Sequence, residues 1–158
     1  MNNALTYCPD HASRKVSMTF SDADHGGCKD SSQSTGGYVI KIGMGAMSSS
    51  LKLKGVVALS STKSEYSTTT EASKEICWMH NLLSEMGFKN DILSILHMDN
   101  QSAIQVAKNP EHHGQMKQLD LKLFWLQDNI EQKLISPTFT QMDQMPADIL
   151  TKCYLSQN

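Results

Sequence analysis

Four acidic side chains stand where the residue pattern changes from one kind of element to another. They are Asp22 in Phe20-Ser21-Asp22-Ala23-Asp24, Glu65 in Ser61-Thr62-Lys63-Ser64-Glu65-Tyr66, Asp99 in His97-Met98-Asp99-Asn100-Gln101-Ser102, and Asp148 in Pro146-Ala147-Asp148-Ile149-Leu150. Each follows an apolar strand-like run or opens a helical pattern, and such ends can converge in space across long sequence separations. Four hard oxygen donors meeting at one point suit Mg²⁺ or Mn²⁺ better than softer metals. Two such ions about 3.5–4 Å apart are the usual apparatus for in-line attack on a phosphodiester. The first expectation is therefore a metal-dependent nuclease. Each acid also has a structural explanation: Glu65 completes a capping box with Thr62, Asp99 and Asp148 suit helix starts, and Asp22 and Asp24 suit a turn. Those explanations are independent of one another, whereas a single site accounts for all four.

The elements that must position these acids follow from periodicity. Val16, Met18 and Phe20 alternate through Lys15–Asp22, which reads as a strand. If the extended backbone persists, Asp24 shares the face of Asp22 and can serve as a supporting acid. A Gly/Ser-rich loop follows, then strands over Gly37–Gly43 and Gly45–Lys52 joined by a tight glycine connection. Ala72, Ile76, Met79, Leu83 and Met86 fall at helical spacing after Thr62, with Gly87 as the stop. Ile92–Met98 reads as a buried strand running into a helix over Asn100–Lys108, which Asn109-Pro110 ends. Leu119, Leu123, Leu126 and Ile130 mark a further helix, Ile135–Gln141 a last strand, and Pro146 opens a short closing helix. The order β-β-β-α-β-α-α-β-α predicts an α/β fold, a mixed sheet with helices packed against it.

The chain of 158 residues is enough for one domain with a real core, and 39% hydrophobic with 19% charged residues is an ordinary globular balance. No apolar run approaches the roughly 18 residues of a membrane span, and no signal peptide opens the chain, so an intracellular protein is expected. Cys8, Cys28, Cys77 and Cys153 are scattered and fit reduced thiols; Cys8-x-x-His11 and Cys77-x-x-His80 each lack the second half of a zinc site. A net charge of −2, with Arg14 the single arginine, argues against a module that grips nucleic acid by phosphate contacts alone. It argues less against a nuclease whose metal ions supply local positive charge.

Taken jointly, several blocks resemble the ribonuclease H domain of copia-type LTR retrotransposon Pol polyproteins. They are Ser21–Asp24, Ser34-Thr35-Gly36-Gly37-Tyr38, Val57–Thr62, Glu65-Tyr66, Asp99–Ala103, Asn109-Pro110 and Ala147–Lys152. The resemblance implies a ribonuclease H-like mixed five-stranded sheet over residues 15–155, with 1–14 the tail of an upstream reverse transcriptase segment. It implies hydrolysis of the RNA strand of an RNA–DNA hybrid, dependence on two Mg²⁺ (or Mn²⁺) ions, and Asp22, Glu65, Asp99 and Asp148 as the ligands. Asn100 and Gln101 are placed toward the hybrid's minor groove, where the RNA 2′-hydroxyls show. Lys117 and Lys122 are the expected phosphate contacts, His113 matches a family histidine, and a cytoplasmic location or virus-like particles would follow.

The chain also departs from the family pattern. His25 and Ser48 replace tryptophans, Gln33, Gln115 and Gln127 replace arginines, and Gln118 replaces a histidine. No histidine lies between Phe139 and Asp148, where many other ribonucleases H carry one. The acids survive while cationic groups are lost, so a weakened substrate grip is expected. The runner-up is a folded, non-catalytic remnant that acts at most as a weak nucleic-acid-binding or interaction module.

Overall fold

The computed structural model describes residues 16–24, 34–43, 45–53, 61–88, 93–108 and 120–151. Five strands form one sheet: β1 (Val16–Asp24), β2 (Thr35–Ile42), β3 (Gly45–Leu53), β4 (Leu93–Met98) and β5 (Ile135–Phe139), in the order β3-β2-β1-β4-β5. The first three form an antiparallel meander, whereas β4 lies parallel to β1 and β5 parallel to β4. Parallel neighbours need crossovers. Helix α1 (Ser61–Glu85) makes the first, and α2 (Gln101–Lys108) with α3 (Asp120–Glu131) make the second. A 3₁₀ turn at Met142–Gln144 precedes the short α4 (Asp148–Thr151). The expected element order and mixed sheet are what the molecule has.

The sheet is covered unequally. One face packs against α1, α2 and α3 around Ile40, Tyr66, Ile76, Met79, Leu96, Met98, Ile104, Leu126 and Ile135. The other carries α4 and a small cluster of Phe20, Met145 and Ala147. Met18 and Phe20 do share a strand face, but the face of β1 against α1 is polar: Ser17, Thr19 and Ser21 are wholly buried there. Small hydroxyl side chains on α1 make this close approach possible. Thr68, Thr70 and Ser73 donate to the carbonyls four residues back, at 3.1, 3.0 and 2.8 Å, so they are satisfied within their own helix. Ser21 Oγ then meets Thr69 Oγ1 at 3.3 Å across the strand–helix gap.

Helix ends are set by local chemistry. Gly87, at φ +84°, lets the amides of Gly87 and Phe88 close onto the carbonyls of Ser84 and Leu83, a Schellman stop for α1. Met86, expected on the core face, is exposed beyond the last turn. Cys77 and His80 each have a separate partner: Cys77 Sγ donates to Asn129 Oδ1 at 3.1 Å, and His80 Nε2 pairs with Ser94 Oγ at 2.9 Å.

Candidate metal centre

Asp22 belongs to the ladder, not to a strand end. β1 runs two residues further than its apolar alternation, and Asp22 pairs in register with Gly37 of β2. The strand interior holds the carboxylate on the sheet face that also carries Phe20, and Asp24 stays on that face. Asp22 is 4% exposed. Glu65 comes from the first turns of α1 and is equally buried. Its carboxylate does not turn back to the helix start as the capping-box reading expected. Oε1 instead accepts the Ala23 amide at 3.0 Å, tying α1 to β1 beside Asp22. Asp99 follows β4 directly, so the parallel β1–β4 pairing brings it next to Asp22.

One oxygen each from Asp22, Glu65 and Asp99 lie within 4.8 Å of one another. Asp148, at the head of α4, stands outside that trio, but its charge acts on Asp22. Burial, reinforced by the charges of Asp99 and Asp22, pushes the Glu65 carboxyl from 4.5 up to about 9. Asp22 is raised by burial too, against a lowering hydrogen bond from Thr151 and with further raising from Asp99 and Asp148. Glu65 Oε2 is buried with no hydrogen-bond partner. An orphaned carboxylate oxygen among other carboxylates is unstable unless a proton or a cation joins it. The donors are all oxygen, which suits a hard divalent ion.

The remaining expected residues fare differently. Asn100 Oδ1 accepts the Ala103 amide at 3.0 Å, so the side chain caps α2 and only its amide donors are left for a ligand. Gln101 is exposed on the first turn of that helix. Lys117, His113, Gln33, Gln115, Gln118 and His25 lie outside the described residues, as does the side chain of Lys122. Gln127 is buried in α3 and donates through Nε2 to the Val106 carbonyl at 3.1 Å. It is a tie between α3 and α2, not a vacated phosphate contact. Ser48 donates to Glu75 Oε1 at 2.9 Å, which joins β3 to α1 where a bulkier ring was expected.

Two neighbours escaped the sequence reading. His97 stacks on Phe20 at 4.6 Å and 12°, and its Nδ1 meets Thr140 Oγ1 at 2.7 Å, bracing β4 just before Asp99. Thr151 donates its hydroxyl to Asp22 Oδ2. The i, i+3 spacing from Asp148 was a signal for Thr151; the placement of His97 opposite Phe20 needed the strand register.

No protein-family model matches the chain. It is 34% identical over 133 residues, 84% of its length, to the retrovirus-related Pol polyprotein from transposon TNT 1-94 of Nicotiana tabacum. It is likewise 34% identical over 134 residues to that from transposon RE1 of Arabidopsis thaliana. The chain spans about a tenth of the length of these curated relatives. Among solved structures it is similar to a ribonuclease H1 isolated from compost, with a TM-score of 0.64 and 14% identity over 87% of this chain and 93% of that one. The same enzyme in complex with an RNA/DNA hybrid superposes at a TM-score of 0.57, with 12% identity over 85% and 91% of the two chains.

Proposed function

We propose that this chain, 34% identical over 84% of its length to Pol polyproteins of plant transposons and sharing the ribonuclease H fold, is a metal-dependent endonuclease hydrolysing the RNA strand of RNA–DNA hybrids. The observation that carries this reading is the trio of carboxylates from β1, α1 and the end of β4, two of them buried and Asp99 half-buried, with its orphaned Glu65 oxygen. Asp22, Glu65, Asp99 and Asp148 would hold two Mg²⁺ ions. When bound, these supply activation of water and stabilisation of the leaving 3′-oxygen.

The chain's own groups set up that chemistry. The Ala23 amide fixes one oxygen of Glu65 and leaves the other buried without a hydrogen-bond partner. Burial keeps the site dry, so cation binding must displace the proton that Glu65 otherwise holds. Gln101 and the Asn100 amide donors would face the minor groove, with Lys117 and Lys122 near phosphate. Residues 1–14 would be the end of a reverse transcriptase segment in a longer polyprotein, working inside the cell in the cytoplasm or in virus-like particles. No helix among the described residues is long and apolar enough to cross a membrane.

The test is cleavage of a labelled RNA–DNA hybrid by purified protein, with Mg²⁺ and with EDTA. Mg²⁺-dependent cutting of the RNA strand alone supports the proposal. Cutting of duplex DNA would point to an integrase- or resolvase-like activity. Hybrid binding without cutting would favour the non-catalytic remnant.

A further inference from the structure

The short helix α4 presents two groups to Asp22, not one. Asp148 opens the helix and Thr151 closes it, three residues apart and so on one face. Thr151 is 5% exposed and donates its hydroxyl to Asp22 Oδ2. The same hydroxyl lies 3.2 Å from the Asp148 carbonyl, but one proton serves one strong bond, and a carboxylate is the better acceptor. The approach depends on Gly37, the residue paired with Asp22 across β1–β2. A Cβ on Gly37 would sit 3.2 Å from both Leu150 Cβ and Thr151 Cγ2, tighter than ordinary contact. The missing side chain on β2 is therefore what lets α4 lie against the sheet with its hydroxyl on the carboxylate.

We propose that Thr151 is a positioning residue for Asp22, seated by Gly37: it holds Oδ2 from behind so that the other carboxylate oxygen faces Glu65 and Asp99. This rests on the metal-site reading above. A carboxylate free to rotate must be ordered when the ion binds, whereas one already held is not, and outer partners of this kind typically change metal affinity about 10–100-fold.

The test uses Mn²⁺ alone, titrated calorimetrically into the protein, with Thr151→Val removing the hydroxyl at nearly constant shape and Thr151→Ser keeping it. Thr151→Val should bind Mn²⁺ about tenfold more weakly, and Thr151→Ser should return to within a few-fold of the parent. A second measurement needs no metal: melting in EDTA of Thr151→Val, Asp22→Ala and the double variant. The two losses should be strongly non-additive, since each removes the same hydrogen bond. Parent-like Mn²⁺ affinity in Thr151→Val, failure of serine to restore it, or additive losses in EDTA would each overturn the positioning role. Absence of Mn²⁺ binding in the parent protein itself would sink the metal site along with it, which separates the two failures.

Discussion

Replacing Glu65 by glutamine should make the metal-free protein more stable, and increasingly so as pH rises. The folded-state carboxyl is raised from 4.5 to about 9, so the folded chain holds a proton that the unfolded chain gives up. For an acid shifted upward, the stability is fully present below pH 4.5, declines through the interval, and stops declining above about pH 9. At about 1.4 kcal/mol per pH unit, the ionisable group costs under about 1 kcal/mol at pH 5 and about 5 kcal/mol at pH 8. Glutamine has the same shape, can still accept the Ala23 amide through Oε1, and puts an uncharged amide where a buried carboxylate crowds Asp22 and Asp99. For a chain of this size each kcal/mol moves Tm by about 2–4 °C, so the gain should be about 10–20 °C at pH 8 and only about 2–3 °C at pH 5.

The assay is calorimetric melting in EDTA at both pH values, repeated with Mg²⁺. Magnesium should raise the Tm of the parent protein, more at pH 8 than at pH 5, because the cation replaces the proton on Glu65. In Glu65→Gln that response should be largely lost. If Glu65→Gln melts at or below the parent in EDTA at pH 8, or if its advantage does not shrink at pH 5, the argument from burial and crowding is wrong.

Asp99→Asn should abolish hybrid cleavage with the fold intact, because the amide keeps the shape and removes the charge; an undiminished rate in a gel assay would remove Asp99 from the site. Gln127→Ala should destabilise the chain by about 1–2 kcal/mol through the orphaned Val106 carbonyl. It should leave the salt dependence of hybrid binding unchanged, as filter binding across a salt series can measure. Lys133 ends α3 at φ 58°, with Leu134 N bonding to Asn129 O. Lys133→Gly should therefore raise stability by about 1 kcal/mol, read as a higher urea midpoint with the same slope.

Much of this molecule could be read from spacing because its parallel strands and crossover helices leave plain signatures. The helical positions Ala72, Ile76 and Met79 are core residues, and the run ending at Met98 is the buried strand it looked like. Periodicity was less informative where packing relies on small hydroxyls. The alternation of Val16, Met18 and Phe20 pointed to their own face of β1, yet Ser17, Thr19 and Ser21 are the wholly buried side, covered by α1 with threonines that satisfy themselves on their own helix. Acid positions were legible but their local roles were not. Glu65 had a capping signature yet reaches a strand amide 42 residues away in sequence, whereas Asn100, expected at the minor groove, caps α2. A local pattern cannot tell these apart, since the choice depends on which neighbour the tertiary fold brings within reach. Gln127 shows the same limit from the other side, because a glutamine in an arginine position looks like a lost surface charge until its burial is seen.

The distribution of buried polar groups bears on how such a chain tolerates change. The described site is held by backbone and by small side chains: the Ala23 amide on Glu65, the Thr151 hydroxyl on Asp22, and the empty space at Gly37. None of these depends on an arginine or a tryptophan. The departures from the family pattern that the structure describes, Ser48 and Gln127, have each found a local partner away from the acids. A carboxylate cluster supported in this way can persist while side chains elsewhere are replaced, because the described departures, Ser48 and Gln127, bond to Glu75 and to the Val106 carbonyl and not to the acids of the cluster. Loss of grip on a nucleic acid and loss of the metal site are then separable events. Weak hybrid affinity in this chain would accordingly be no evidence against an intact metal centre, and Mn²⁺ binding is the measurement that addresses the centre directly.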